Sequence, residues 1–335
     1  MAEAGWESGR RVGAAISVGT FAADADYRDA FLAEFSAWTP ENACKWWGLQ
    51  PDSAESWNFK DADTVAAAAA EAGMAMKGHA LVWHSSVPPW VGDSPAPADL
   101  QAWLSAHIAE TGSHFAGTVS EWDVVNEAID DGTGQGLYGL RESLFYTALG
   151  EDYIAEAFHA ARAADPDARL MYNDYNLIYN GEKTDRAVGL LSWLIAAGVP
   201  IDGVGLQSHV TAGHVPDQDT VAEVLQRFAD LGIAVHISEL DVQIRDLAGA
   251  DSERLFAQAQ VVYRLANACA AQQACDLLTF WGFTDRYSWI DSHYGEDDPL
   301  PFDEDLLPKP AREAAKAGLR GEPMPCLLYT SPSPR

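Results

Sequence analysis

The sequence predicts a (β/α)8 barrel of the TIM type. Three observations carry this. Short apolar runs alternate with longer amphipathic runs eight times along the 335 residues. No Pro/Gly/Ser-rich linker interrupts them. No G-x-G-x-x-G follows the first apolar run, which argues against a dinucleotide-binding open sheet. Strands alternating with helices require a parallel sheet with right-handed crossovers, and eight such units close on themselves.

Each element has its own signal. Residues 12–16 read as the first strand. Residues 24–37 place Tyr27, Phe31, Leu32 and Phe35 at helical spacing, with Asp24 as N-cap. Residues 38–46 read as the second strand and its exit loop. The alanine-rich stretch 61–72 reads as a helix ended by Gly73. Strands are expected at 74–83, 119–125, 169–172, 204–207, 234–238 and 277–283. Helices are expected at 98–115, 153–164, 185–197, 220–231, 252–271 and 310–318. The barrel is expected to occupy residues 1–320, leaving a tail at 321–335. The last ten residues share no pattern with the rest and read as a translated sequencing adapter.

Composition bounds the function. Acidic residues outnumber basic ones 50 to 21, a formal charge of −29. Such a surface repels nucleic-acid phosphates and anionic membranes. A neutral polymer suits it better. The apolar stretches fall far short of the roughly 20 residues needed to cross a bilayer. The first residues lack a basic segment followed by an apolar core, so no secretory leader is expected in this chain. Cys269 and Cys275 are close in sequence and are expected to form a small disulfide, which would place the protein in an oxidising compartment. Cys44 has no evident partner.

In a parallel barrel the chemistry sits at the carboxyl ends of the strands. Those ends read Glu41-Asn42-Ala-Cys-Lys45-Trp46, Gly78-His79-Ala-Leu-Val-Trp83-His84, Trp122-Asp-Val-Val-Asn126-Glu127, Tyr172-Asn173-Asp174-Tyr175-Asn176, Gln207-Ser208-His209, Ser238-Glu239-Leu240-Asp241 and Trp281-Gly-Phe-Thr-Asp285-Arg-Tyr-Ser-Trp289. Carboxylates, amides, histidines and tryptophans thus gather at one rim. Carboxylates there are costly unless paired or functional. Tryptophan faces suit the C–H faces of sugars, and amides suit their hydroxyls. Cleaving a glycosidic bond takes two carboxylates, one to protonate the leaving oxygen and one to attack or to activate water. Glu127 and Glu239 end strands on opposite sides of the mouth. A separation of about 5–5.5 Å would make the mechanism retaining. The histidines form no H-E-x-x-H or other zinc spacing, so neither metal nor cofactor is expected. G-x-S-x-G is absent, which argues against an esterase.

These blocks, in this order, resemble family 10 of the glycoside hydrolases, the barrel-fold xylanases, over roughly residues 12–318. The resemblance implies an endo-1,4-β-xylanase with Glu127 as acid/base and Glu239 as nucleophile. It also implies that Asn126 bonds the 2-hydroxyl of the cleaved sugar. Gln207 and His209 would hold Glu239, with Asp241 orienting His209. Glu41, Asn42, Lys45, His79 and Trp83 would bind sugars on the non-reducing side. Trp281 and Trp289 would wall the cleft, and Tyr175 would lie on the leaving-group side. The partner implied is xylan or its oligosaccharides, and the expected state is a secreted monomer. Two positions depart from the family pattern. Ser86 stands where Gln is common, and Trp47 where a smaller or acidic residue is usual. Two other readings use the same residues. One is a hydrolase of short xylo-oligosaccharides inside the cell, motivated by the missing leader. The other is a xylan-binding barrel without catalysis, which the intact glutamates argue against.

Overall fold

A computed structural model describes residues 1–325, so the adapter-like segment 326–335 lies outside the described residues. Eight parallel strands form the barrel: β1 (Arg11–Ile16), β2 (Ala37–Pro40), β3 (Ala75–Trp83), β4 (Glu121–Asn126), β5 (Arg169–Asp174), β6 (Gly203–Leu206), β7 (Ala234–Gln243) and β8 (Cys275–Phe280). Each pairs with its sequence neighbour, and β8 pairs with β1, which closes the ring. A short strand, His209–Thr211, prolongs β6 and pairs with the outer end of β7.

The helices fall where the periodicity places them, with ends shifted by up to three residues. They span Ala25–Glu34, Lys60–Glu71, Pro97–His114, Tyr153–Ala164, Glu182–Ala196, Gln218–Ala229, Asp251–Ala271 and Pro310–Arg320. Asp24 caps the first of these, its carboxylate accepting from the Tyr27 amide at 3.0 Å. An N-terminal helix, Ala2–Glu7, was not expected; it is too short to show a period and packs on the C-terminal helix. Cys269 and Cys275 are bonded, and Cys44 is free and buried.

Apolar side chains fill the space between strands and helices, with Trp38, Trp46, Trp122 and Tyr172 fully enclosed. Two glycines let the barrel close. A Cβ on Gly78 would lie 2.1 Å from the Trp122 ring, and one on Gly13 would lie 2.9 Å from Thr279. The barrel floor is charged instead of apolar. Glu121 meets Arg11 at 3.3 Å and Arg169 at 2.5 Å, and His236 bonds Asp276 at 2.7 Å. Burial pushes the Glu121 carboxyl up, but the cations around it, His236 first, bring it down to about 2. His236 is therefore part of an ion network.

The strands are not uniform ladders. Pairing shifts register at His79/Val82 in β3, at Asp123/Val125 between β4 and β5, and at Ile237/Leu240 in β7. These three irregularities fall just below strand ends that bear site residues; a fourth, at Val235/His236, lies at the start of β7. Such bulges re-aim the side chains that follow. Glu127 itself has φ 58°, left-handed for a residue with a side chain, at a cost of about 1–2 kcal/mol.

Candidate active site

The rim encloses a cleft of about 1030 Å³. Every expected site residue except Asp241 lines it, and Glu127 and Glu239 do so together. Asp241 stands one layer back, behind His209.

Glu239 is buried and held from three sides. Asn173 Nδ2 donates to Oε1 at 2.6 Å, and His209 Nε2 donates to Oε2 at 3.1 Å. The His79 ring nitrogen lies 3.9 Å from Oε1. Burial raises the carboxyl's affinity for a proton. The hydrogen bond from His209, the charges of His79 and His209, and the bond from Asn173 outweigh it, so Glu239 sits below the usual carboxylate range. His209 shows the converse. Burial disfavours its charge, yet the Asp241 carboxylate at 2.7 Å, together with Glu239, pushes it up to about 10. The imidazolium donates on both nitrogens, one to each acid. Trp289 Nε1 also donates to Asp241, at 2.9 Å, which ties the cleft wall to this chain of bonds.

Glu127 has a different set of donors. Trp83 Nε1 reaches Oε2 at 2.9 Å, and Gln207 Nε2 reaches Oε1 at 3.1 Å. Asn126 Nδ2 lies 3.3 Å from Oε1. This corrects one expectation. The Gln207 side chain was expected to hold Glu239, but it serves Glu127 and the Asn126 carbonyl oxygen, the latter at 3.2 Å. Only its backbone carbonyl touches Glu239, accepting from the amide at 2.9 Å. The next residue, Ser208, has φ 62°, so the chain turns sharply there. The two glutamate systems meet at Asn173, whose Nδ2 also donates to Asn126 Oδ1 at 2.8 Å.

The two ends of the cleft differ. At one end Lys45 donates to Asn42 at 2.8 Å and lies 4.9 Å from the Trp83 ring centre. Burial brings the Lys45 ammonium below its usual range, with Glu239, Glu41 and Glu127 opposing. At the other end Lys183 sits 3.4 Å over the Tyr175 ring and pairs with Asp131 and Asp174, each at 2.9 Å. Arg141 donates to the Tyr175 hydroxyl at 2.7 Å and to the Glu127 carbonyl at 3.1 Å. Burial pushes Asp174 up to about 6 against the pull of Lys183. Ser86 is buried, Trp47 is exposed on the outside, and neither lines the cleft.

Sequence reasoning gave no role to Asn173, Asp123, Arg141 or Lys183. Asn173 had a signal, since it stands inside the Tyr172–Asn176 block. The others act through space. Asp123 hydrogen-bonds His79 at 2.9 Å and forms an ion pair with Lys77 at 2.9 Å, fixing the ring that faces Glu239. His79, Asp123 and Glu239 bring ligand atoms within 4.8 Å of one another, but the Lys77 ammonium already neutralises Asp123.

A parallel barrel bearing two glutamates in one aromatic-walled groove, each in its own cage of donors, is the architecture of a glycoside hydrolase. The chain belongs to glycosyl hydrolase family 10, whose sequence profile matches residues 1–317. It is 39% identical over 303 residues to endo-1,4-beta-xylanase 1 of Humicola insolens, an alignment that covers 89% of this chain and 69% of that protein. Native xylanase 10B from Thermotoga maritima superposes with a TM-score of 0.90 at 35% identity, covering 96% of this chain and 98% of that one. Xylanase 10B from Thermotoga petrophila RKU-1, solved in complex with xylobiose, gives 0.90 at 35% identity, covering 96% and 97%.

Proposed function

We propose that the protein is a retaining endo-1,4-β-xylanase. The observation that carries this is two carboxylates with different donors on one cleft, Glu239 hydrogen-bonded by His209 and Asn173, and Glu127, bonded by Trp83 and Gln207, lining the same cleft. In the first step a Glu239 oxygen attacks the anomeric carbon. The bond from that carbon to the leaving oxygen breaks as Glu127 delivers its proton to that oxygen. In the second step the Glu127 carboxylate takes a proton from water. The water oxygen attacks the anomeric carbon, and the ester to Glu239 breaks, restoring both carboxyl groups. Asn126, oriented by Asn173 and Gln207, bonds the 2-hydroxyl. Lys45, Asn42, Glu41, His79 and Trp83 hold the non-reducing sugars, and Tyr175 lies under the leaving group.

Xylan and carboxymethylcellulose test the substrate. Xylo-oligosaccharides released from xylan alone support the proposal; hydrolysis of the cellulose derivative alone refutes it. Fresh product with retained anomeric configuration by NMR supports double displacement. Replacing Glu239 by Ala should abolish turnover, and a variant near the normal rate removes Glu239 from the nucleophile role. No helix among the described residues is long and apolar enough to cross a membrane. The Cys269–Cys275 bond supports function in an oxidising compartment. The same reading makes the protein a monomer, which light scattering checks.

A further inference from the structure

Glu127 leaves β4 in a left-handed turn, and one residue further along the chain grips that turn. A φ of 58° persists in a residue with a side chain only where the surroundings fix it. Ala128 and Ile129, which follow, are buried, so their carbonyls need partners inside the protein. The chain supplies them by folding back. Ile129 and Leu140 form an antiparallel bridge, and the Asp130 amide donates to the Gly139 carbonyl at 2.9 Å. That hairpin delivers Arg141 to three successive carbonyls. Its Nε donates to the Glu127 carbonyl at 3.1 Å, its backbone amide to that of Ala128 at 2.7 Å, and its Nη2 to that of Ile129 at 3.4 Å. On the other side β5 takes the amides. The Asn173 carbonyl accepts from Glu127 at 2.8 Å, and the Asp174 carboxylate accepts from Ile129 at 3.3 Å.

The Arg141 guanidinium serves the backbone more than it serves an acid. Asp130 Oδ2 lies 3.8 Å from Nη1, further than any of these hydrogen bonds. Nη2 also donates to the Tyr175 hydroxyl at 2.7 Å, so one side chain spans the backbone of Glu127 and the ring at the Tyr175 end of the cleft. A planar fork of donors can meet the Glu127 carbonyl, the Ile129 carbonyl and the Tyr175 hydroxyl together. A lysine ammonium is a single point and cannot. The Glu127 carboxyl has its own donors, Trp83 at 2.9 Å and Gln207 at 3.1 Å. Glu127 is thus fixed at both ends, its carboxyl by Trp83 and Gln207 and its backbone by Arg141 and β5. Such fixing has kinetic weight, since a reacting group misplaced by about 1 Å can cost on the order of 100-fold in rate.

We propose that Arg141 is a positioning residue for the acid/base, holding the turn from Glu127 to Ile129 so that the Glu127 carboxyl meets the leaving oxygen. This rests on the reading of Glu127 as the acid/base of a xylanase. Arg141→Met removes the side-chain donors and keeps the amide bond to Ala128, so the base of the hairpin stays closed. Its kcat/KM for xylopentaose, a poor leaving group that needs the proton, should fall by about 10–100-fold. Its kcat/KM for a dinitrophenyl β-xylobioside should stay within about threefold, because that phenolate departs without a proton and kcat/KM reports the step in which it departs. Arg141→Lys keeps the charge without the fork and should show the same split; if Arg141→Met does not fold, this variant decides by the same comparison. An unchanged rate on xylopentaose overturns the positioning role. Full recovery in Arg141→Lys overturns it too, by making charge the cause. An equal loss on both substrates, or failure of both variants to fold, overturns it by making Arg141 a general structural support. Wild-type protein that hydrolyses neither substrate refutes the reading of the cleft itself, which no result on the variants alone can do.

Discussion

Asn173 is the joint between the two glutamate systems, and removing its amide should move the enzyme's acid limit. In the structure its Nδ2 donates to Glu239 Oε1 at 2.6 Å and to Asn126 Oδ1 at 2.8 Å, while its own oxygen accepts from Ser238 Oγ at 2.6 Å. In Asn173→Ala the burial that pushes Glu239 up remains, and one of the bonds opposing it is gone. A hydrogen bond to a charged group is worth about 1.5–3 kcal/mol, and about 1.4 kcal/mol corresponds to one pKa unit. The Glu239 carboxyl should therefore rise by about 1–2 units. The sign follows from the chemistry. The nucleophile must be ionised, its ionised fraction falls as pH falls through its pKa, and a higher pKa brings that fall to higher pH. The acidic limb of kcat/KM against pH, measured on a linear xylo-oligosaccharide, should move up by about 1–2 units. Folding should lose about 1–3 kcal/mol from the stranded Ser238 hydroxyl. Ser238→Ala provides the control, with a stability loss and no shift of the limb. A folded Asn173→Ala enzyme with an unmoved acidic limb would refute the assignment of that bond as a support of the nucleophile.

Gln207→Leu tests the corrected partner. Losing a donor to Glu127 should slow substrates with poor leaving groups by about 10–100-fold and spare activated aryl xylosides, read as kcat on each. An equal loss on both substrates would return Gln207 to the Glu239 side. Gly78→Ala should cost at least about 3 kcal/mol, because its Cβ would overlap the buried Trp122 ring, 2.1 Å away in the present geometry. Urea unfolding measures this, and a cost under 1 kcal/mol would mean that the barrel relaxes freely there. Reducing Cys269–Cys275 frees a loop of sequence separation 6 and should lower stability by about 2 kcal/mol, or about 2–4 °C in Tm, seen by calorimetry with and without reductant.

The outline of the barrel and most of the cleft were legible in the sequence. Apolar period fixes which segments become strand or helix, and in a parallel barrel the strand ends must share one rim. That is why Glu127 and Glu239 were identifiable from flanking residues that stand next to them in the chain. Boundaries were less so, since β7 runs on to Gln243, well past its expected end. What the tertiary structure decided was which polar group meets which. Period-two alternation predicts side-chain direction only on a regular strand, and β3, β4 and β7 are irregular just where the chemistry lies. Gln207 could face either glutamate until the turn at Ser208 pointed it to Glu127. Asn173 could not be seen as a bridge, because its two partners lie 47 and 66 residues away along the chain. The partners of His236, Asp276 and Glu121, were not legible in the sequence because they come from other strands around the barrel floor. Local sequence sets what a residue offers; closure of the ring, which brings distant strands within hydrogen-bonding reach, sets what it finds.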